Sequence, residues 1–486
     1  MRVAFVQDSG MNESAALLVL SASLKQDGHV TRLFIDRDEP DLFGAMRRFH
    51  PDVVLMAIDI GGHHWGLALA DRIVHGMAAP LVLMGTYPTL EPDGVLGRPE
   101  FRFVLPGECD VSLPALLDEF SSGRRRFEQV PGLCWRDEDG KAHRNPPAPF
   151  VVNLDDLPAP DVSLFEPYPY LLRFGVRRFV SGRGCANRCS YCYNDSMSRQ
   201  TRAQGAYVRR KSAPRFVAEI AASLDRYPAH HVHMADDLFT HDPGWLGAFT
   251  PLYRREVGVP FTCNATPASL TEQTVSLLAE GGCHGVAVGI ESGDQALRER
   301  ILGRPARDDD LIAGCERVRR SGILLAAFNM LAMPGETFEQ ALSTIRLNTE
   351  LGVQVPRVTY TFPIRGTRLT NRAIEEGFLT VETQAAIEAE VAAGKFKLRP
   401  CFQSPDNERF ARLFRVFQLS IVTGLPIDQV RRLVQSALLN RAIPYQMLML
   451  ALEKRFFRIH WLPGFNMFLH AGHPLGRTKN FNNFIP

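Results

Sequence analysis

The stretch RRFVSGRGCANRCSYCYNDSMSRQ (177–200) decides how the rest of the chain is read. It opens as a strand, turns through Gly182 and Gly184, and then places Cys185, Cys189 and Cys192 within eight residues. Glycines let backbone fold closely around a bulky centre. Three thiolates converging in one loop need a metal, because bare thiolates repel each other. A structural zinc site wants four closed ligands, often as paired CxxC knuckles, and no second knuckle exists here. An iron–sulfur cubane is usually held by four cysteines. Three leave one iron open, and an open position signals chemistry rather than scaffolding. The other six cysteines of the nine (Cys109, Cys134, Cys263, Cys283, Cys315 and Cys401) are scattered and read as small buried residues. An odd count without a secretion signal is not a disulfide framework.

Downstream of the loop, strands alternate with helices. Candidate strands are 177–184, 230–237, 259–266, 284–292, 324–333 and 357–364, with helices such as 214–226, 271–280 and 337–351 between them. Six βα units over 175–374 make a partial TIM-like barrel, whose chemistry belongs at the carboxyl ends of its strands. Polar groups fall there repeatedly: Asp236 and Asp237, Asn264 and Thr266, Glu291 and Ser292, Met333-Pro334-Gly335-Glu336, and Arg365-Gly366-Thr367.

Upstream, residues 1–125 form another alternating series. Strands at 2–8, 29–35, 51–59, 80–85 and 101–108 are separated by helices at 12–28, around 42–49, at 65–76 and at 111–121. This predicts a doubly wound parallel sheet, with ligands beyond the strands' carboxyl ends. No GxGxxG follows the first strand, which argues against a dinucleotide. Residues 126–174, rich in Pro and Gly, read as a surface linker with a hairpin-like turn at Asp139-Gly140. Residues 375–486 read as helices at 383–394, 407–423, 427–438 and 444–456, then an aromatic tail. They form a helical cap on the barrel mouth, a substrate lid, or both.

The 486 residues suit about three domains. Lys and Arg total 55 against 53 Asp and Glu, so no global charge points to nucleic acid. No apolar run approaches the roughly 18 residues of a membrane span. Asp8 interrupts the start before a signal-peptide core forms. The expectation is a cytoplasmic protein without a transmembrane segment.

The cysteine triad, with Tyr191 before its third member and a partial barrel around it, resembles the radical S-adenosylmethionine superfamily. The segments GIESGDQALRERILGR, MPGET and FPIRGT are similar to those of its cobalamin-linked branch, as are GTYPTLEPDGVL, FVLPGE, VPGLCWRDEDG and NLDDLPAPD farther upstream. The resemblance covers about residues 1–375. It implies a [4Fe-4S] cluster on Cys185, Cys189 and Cys192. The open iron is then chelated by S-adenosylmethionine, which is cleaved to a 5′-deoxyadenosyl radical. It also implies that the Tyr191 backbone supports the adenine, that Asp236 and Asp237 meet the methionine ammonium, and that Glu291 and Ser292 contact ribose and methionine.

For residues 1–125 the resemblance implies a cobalamin-binding domain. Many such domains carry D-x-H-x-x-G after the first strand. Here that loop reads QDSGMNES, without a His, so the implied state has no protein His on cobalt. His63-x-x-Gly66 follows the third strand, but Asp59 stands four residues before the His rather than two. His63, His64 or Trp65 is then expected to cover the lower face of the corrin, and Gly85 and Thr86 to approach the cobalamin tail. The implied activity is methyl transfer from methylcobalamin to a substrate carbon activated by the radical. The alternative is a non-methylating member, such as an anaerobic oxidative ring cyclase acting on a tetrapyrrole. A methylthiotransferase would need its own cysteine trio in the first domain, where only Cys109 stands. The implied partners are a small-molecule substrate, bulky and apolar by the tail's composition, and a reductant such as flavodoxin or ferredoxin.

Overall fold

The computed structural model describes residues 1–8, 14–60, 62–173, 175–304, 307–392, 397–436 and 445–458. The aromatic tail beyond Arg458 lies outside the described residues, as does the start of the helix expected from residue 12.

The first unit runs β1 (Arg2–Gln7), α1 (Ala15–Gln26), β2 (Val30–Ile35), α2 (Leu42–Phe49), β3 (Val53–Ala57), α3 (His63–Gly76), β4 (Leu81–Met84), α4 (Thr86–Leu90), α5 (Pro92–Leu96), β5 (Phe103–Leu105) and α6 (Ser112–Ser121). The five strands pair in parallel, in the order β2-β1-β3-β4-β5. They are short apolar runs because helices cover both faces: VVLM of β3 and LVLM of β4 are wholly buried. The doubly wound sheet is as expected.

The stretch that follows departs from a surface linker. β6 (Cys134–Arg136) and β7 (Ala142–Arg144) add antiparallel to β5, so the sheet has seven strands, and their hairpin turns at Gly140. Then Leu164, Phe165, Tyr168 and Leu171, the last in α7 (Pro169–Arg173), bury against the sheet's core. The Tyr168 hydroxyl accepts from the Ile35 N–H (3.0 Å) and donates to Glu39 (2.8 Å). Isolated apolar residues among prolines do not make a period, so sequence pattern could not show this docking.

The second unit runs β8 (Val176–Phe179), β9 (Gly182–Arg183), α8 (Tyr193–Gln200), β10 (Arg209–Arg210), α9 (Ala213–Arg226), β11 (His231–Met234), α10 (Pro243–Glu256), β12 (Phe261–Ala265), α11 (Glu272–Glu280), β13 (Cys283–Glu291), α12 (Gln295–Arg300), α13 (Asp308–Arg320), β14 (Leu324–Leu331), α14 (Phe338–Glu350) and β15 (Val355–Tyr360). Six strands form one parallel sheet, β15-β14-β13-β12-β11-β8, the expected partial barrel. The run 177–184 is not one strand. It leaves the sheet after Phe179, and Gly182-Arg183 pairs antiparallel with Arg209-Arg210. The cause is Asp236, whose buried carboxylate accepts the N–H of Ser181 and of Gly182 and the Ser181 hydroxyl.

The last helices are α15 (Arg368–Glu375), α16 (Val381–Ala392), α17 (Asn407–Thr423), α18 (Ile427–Gln435) and a final helix Tyr445–Phe456. Two of them do not cap the barrel mouth. α17 packs outside, on α14 and β15, where Phe414 stacks on Tyr360 at 4.7 Å. The final helix plugs the base of the inner face. Phe456 packs with Ala287, Ala326 and Val355 and sits where a Cβ on Gly285 would stand, and Glu453 pairs with Arg357 at 2.6 Å. α16 reaches the first unit, against α3.

Candidate active site

The cysteine loop lies between β9 and α8, with Cys192 at the N-terminal boundary of α8. Gly184 has φ +79°, and a Cβ there would stand 2.2 Å from the Tyr207 carbonyl oxygen, so only glycine fits this turn. The loop is tied down from two sides. The Ser190 N–H donates to the Leu302 carbonyl and the Leu369 N–H donates to the Ser190 carbonyl, each at 2.9 Å. Arg368 holds Asp195 at 2.9 Å. All three cysteines are free thiols. Burial pushes each thiol up, Cys192 to about 12. Backbone N–H groups of Asn187 and Asn194 donate to the sulfurs of Cys185 and Cys192. Sulfurs that accept N–H bonds yet are too desolvated to ionise alone are a donor set that a bound cation completes.

The strand ends bring other expected residues to this mouth, in different states. Asp237 is exposed there. It accepts from Asn194 Nδ2 at 2.9 Å, and the Tyr207 hydroxyl holds Asn194 in turn at 2.7 Å. Asp236 points the other way, with its oxygens taken by Ser181 and Gly182 as above. Ser292 is fully buried. Its hydroxyl accepts the Asp294 N–H at 3.2 Å, so it shapes the turn into α12 rather than the mouth.

Glu291 sits at a bulge in β13 with φ +63°, a left-handed conformation that costs a non-glycine residue free energy. The conformation aims its carboxylate at the Tyr191 hydroxyl and at Arg304 Nη1, each 2.9 Å away. Gly289 makes room: a Cβ there would meet Glu291 Oε1 at 2.4 Å and Arg304 Nη1 at 2.5 Å. Burial pushes the Glu291 carboxyl up while Arg304 pulls it down. Arg304 also acts on Cys189, lowering its thiol. Sequence reasoning did not single out Arg304. Its only signal was its place closing the GIESGDQALRERILGR segment.

The carboxyl edge of the first sheet faces this mouth. Arg183, two residues before Cys185, pairs with Glu108 and Asp110 at 2.6 Å, and Arg209 pairs with Glu108. Gln200 of α8 donates to the Leu90 carbonyl at 3.2 Å. Along that edge Gly85 has φ +106°, and a Cβ there would lie 2.6 Å from the Ile58 carbonyl oxygen, so its close approach is to β3's continuation. The Thr86 hydroxyl ties the same stretch, donating to Asp59 (3.1 Å) and accepting from the Ile60 N–H (2.9 Å). His63 is buried and stacks on Tyr87 at 4.3 Å, with His64 beside it. Trp65 turns away and donates to Asp36 at 2.9 Å. His63 and Tyr87, with Arg365 after β15 and Glu388 of α16, line a small cavity of about 10 Å³ where the units meet.

Comparison with known proteins agrees with this geometry. Residues 179–347 match the Radical SAM superfamily. The chain is 25% identical over 372 residues to an uncharacterized methyltransferase of Pyrococcus horikoshii, covering 74% of this chain and 79% of that one. It is 25% identical over 404 residues to cytidylyl-2-hydroxyethylphosphonate methyltransferase of Streptomyces wedmorensis, covering 73% of each. Its fold is similar to that of the radical S-adenosylmethionine methyltransferase TsrM of Kitasatospora setae, solved with cobalamin and a [4Fe-4S] cluster. That likeness has a TM-score of 0.62 at 20% identity, over 77% of this chain and 75% of that one. Residues 179–347, the partial barrel, thus match a radical SAM domain. The chain's fold, first unit included, is that of the cobalamin-dependent branch.

Proposed function

We propose that this chain is a cobalamin-dependent radical SAM methyltransferase, moving a methyl group to a substrate carbon. The observation that carries the reading is the juxtaposition of two edges. The cysteine loop opens at the carboxyl face of the barrel, and ion pairs from Arg183 and Arg209 hold the carboxyl edge of the first sheet across from it. When bound, the cluster, S-adenosylmethionine and cobalamin supply one-electron reduction, a hydrogen-abstracting radical and a transferable methyl group.

The chain's own residues hold and orient these groups. Cys185, Cys189 and Cys192 are the cluster ligands, and their raised thiols fit a site in which the metal supplies the missing positive charge. The methionine end of S-adenosylmethionine is a zwitterion. Asp237, exposed to the mouth, suits its ammonium. Arg304, fixed by Glu291 and Tyr191, suits its carboxylate. Asp236 acts one layer back by pinning Ser181 and Gly182, which sets where the cysteine loop leaves the sheet. Gly85 and Thr86, which join the ends of β3 and β4, would approach the cobalamin tail.

The substrate is a small molecule, in keeping with the cytidylyl phosphonate named for one relative. A bulky apolar substrate fits the aromatic composition of residues 456–476. A reductant such as flavodoxin or ferredoxin in the cytoplasm would supply the electron. None of the described helices is long and apolar enough to cross a membrane. The test is anaerobic reconstitution with iron, sulfide and cobalamin, followed by product analysis with candidate substrates. S-adenosylhomocysteine together with 5′-deoxyadenosine and methylated product supports methyl transfer. 5′-Deoxyadenosine without S-adenosylhomocysteine assigns the chain to non-methylating chemistry.

A further inference from the structure

His63 and His64 are the first two residues of α3, and Glu388 comes from α16, 324 positions beyond His64. The three offer ligand atoms that all lie within 4.8 Å of one another. Both imidazole Nε2 atoms face the same oxygen, Glu388 Oε2, at 3.6 and 3.7 Å. That is too long for a hydrogen bond. It is close to the roughly 3.3–3.4 Å that separates two donors each about 2.0–2.1 Å from a shared tetrahedral ion. The His64 Nε2 atom is buried with no hydrogen-bond partner, and so is Nδ1 of His63. An ion between the two Nε2 atoms and Glu388 would give the orphaned His64 Nε2 its partner.

We propose that His63, His64 and Glu388 form a binding site for a divalent transition-metal ion of the zinc kind, which joins the first unit to α16. Imidazole and carboxylate are the donors such an ion takes, and three protein ligands leave a fourth position open. The cavity beside His63 and Glu388, about 10 Å³, has room for about a single water, which would fill that position.

The groups around the three ligands support the site. Tyr87 stacks on His63 with an interplanar angle of 11° and fixes its ring. Arg365 donates to both Glu388 oxygens, at 3.2 Å from Nε and 2.6 Å from Nη2, and orients the carboxylate from outside as partners of metal-binding carboxylates do. The Arg365 charge and the positive N-terminus of α3 oppose a cation. Glu388, together with Glu91 on the same cavity wall, offsets them.

The test uses the untagged holoenzyme, washed with a chelator, with zinc measured alongside iron and cobalt. The expected result is about one zinc per chain retained by the wild type, with loss to roughly a tenth of that in His63→Gln and in Glu388→Gln. Zinc-edge X-ray absorption on the wild type decides the matter even where a variant fails to fold. Nitrogen and oxygen neighbours at about 2.0–2.1 Å with imidazole scattering support the site. Three results overturn it: no retained zinc, sulfur neighbours at about 2.3 Å that place zinc on cysteines, or cob(II)alamin resonance with nitrogen splitting lost in His63→Gln, which gives the imidazole to cobalt instead. Iron and cobalt contents test the proposed function separately, so either reading can fail while the other stands.

Discussion

The barrel mouth and the edge of the first sheet both present acids and bases at the carboxyl ends of parallel strands, yet they are built differently. At the mouth Asp236, Asp237 and Glu291 each have a fixed partner within the barrel. Asp236 is consumed by the chain it redirects, and Glu291 is committed to Tyr191 and Arg304. At the sheet edge, imidazole nitrogens are buried without partners, and the acid they face arrives from a distant helix. The first region is rigid before anything binds. The second is completed only when the two units and a bound group come together. Adjacent residues differ even within the mouth: Asp236 is buried and taken by Ser181 and Gly182, while Asp237 is exposed and accepts from Asn194.

The largest effect expected is at the cysteines. Alanine at Cys185, Cys189 or Cys192 should remove essentially all iron and all 5′-deoxyadenosine formation, read by metal analysis and by product chromatography. Next, Arg304→Gln leaves Glu291 buried without its cation, and removing one partner of a buried pair typically costs about 3–5 kcal/mol. The melting temperature should fall, and S-adenosylmethionine affinity should drop more than a hundredfold, measured by calorimetry on cluster-loaded protein. Asp237→Asn and Asp236→Ala then split the acid pair. The first should fold normally and keep its iron but bind S-adenosylmethionine at least tenfold more weakly. The second strands two backbone donors, at about 1–3 kcal/mol, and should lower stability and cluster loading together. Equal behaviour of the two variants would erase the distinction between holding and binding acids.

The smallest effect concerns Glu336, after β14. Its carboxyl accepts the Met333 N–H at 3.0 Å, its other oxygen has no partner, and burial pushes it up to about 8. The folded state thus keeps a proton that the unfolded state loses. Stability should be fullest below the ordinary carboxyl pKa of 4.5 and should fall as pH rises through about 8. Glu336→Gln should flatten that slope in urea unfolding between pH 6 and pH 8.5.

Much of this was legible in the sequence. The cysteine spacing marked the loop, and the alternation of apolar runs with helices marked both parallel sheets, because a strand buried on two faces must be apolar throughout. Glu291 and Asp237 were legible as polar residues at strand ends. Pairings between distant segments were not. Arg183 meets Glu108 across 75 residues, and no period links them. β6 and β7 hid in a Pro- and Gly-rich stretch. The final helix read as a cap because amphipathicity says that a helix is covered but not which opening it covers. The left-handed turn at Glu291, which brings Arg304 into the site, is a property of the folded strand alone.

The most direct test of the central claim is low-temperature paramagnetic resonance of the reduced, cobalamin-loaded enzyme before and after S-adenosylmethionine is added. The account calls for a [4Fe-4S] signal that shifts when S-adenosylmethionine binds the open iron, and for a cob(II)alamin signal in the same sample. A cluster signal indifferent to S-adenosylmethionine, or protein that carries zinc on its cysteines and retains no cobalamin, would contradict it.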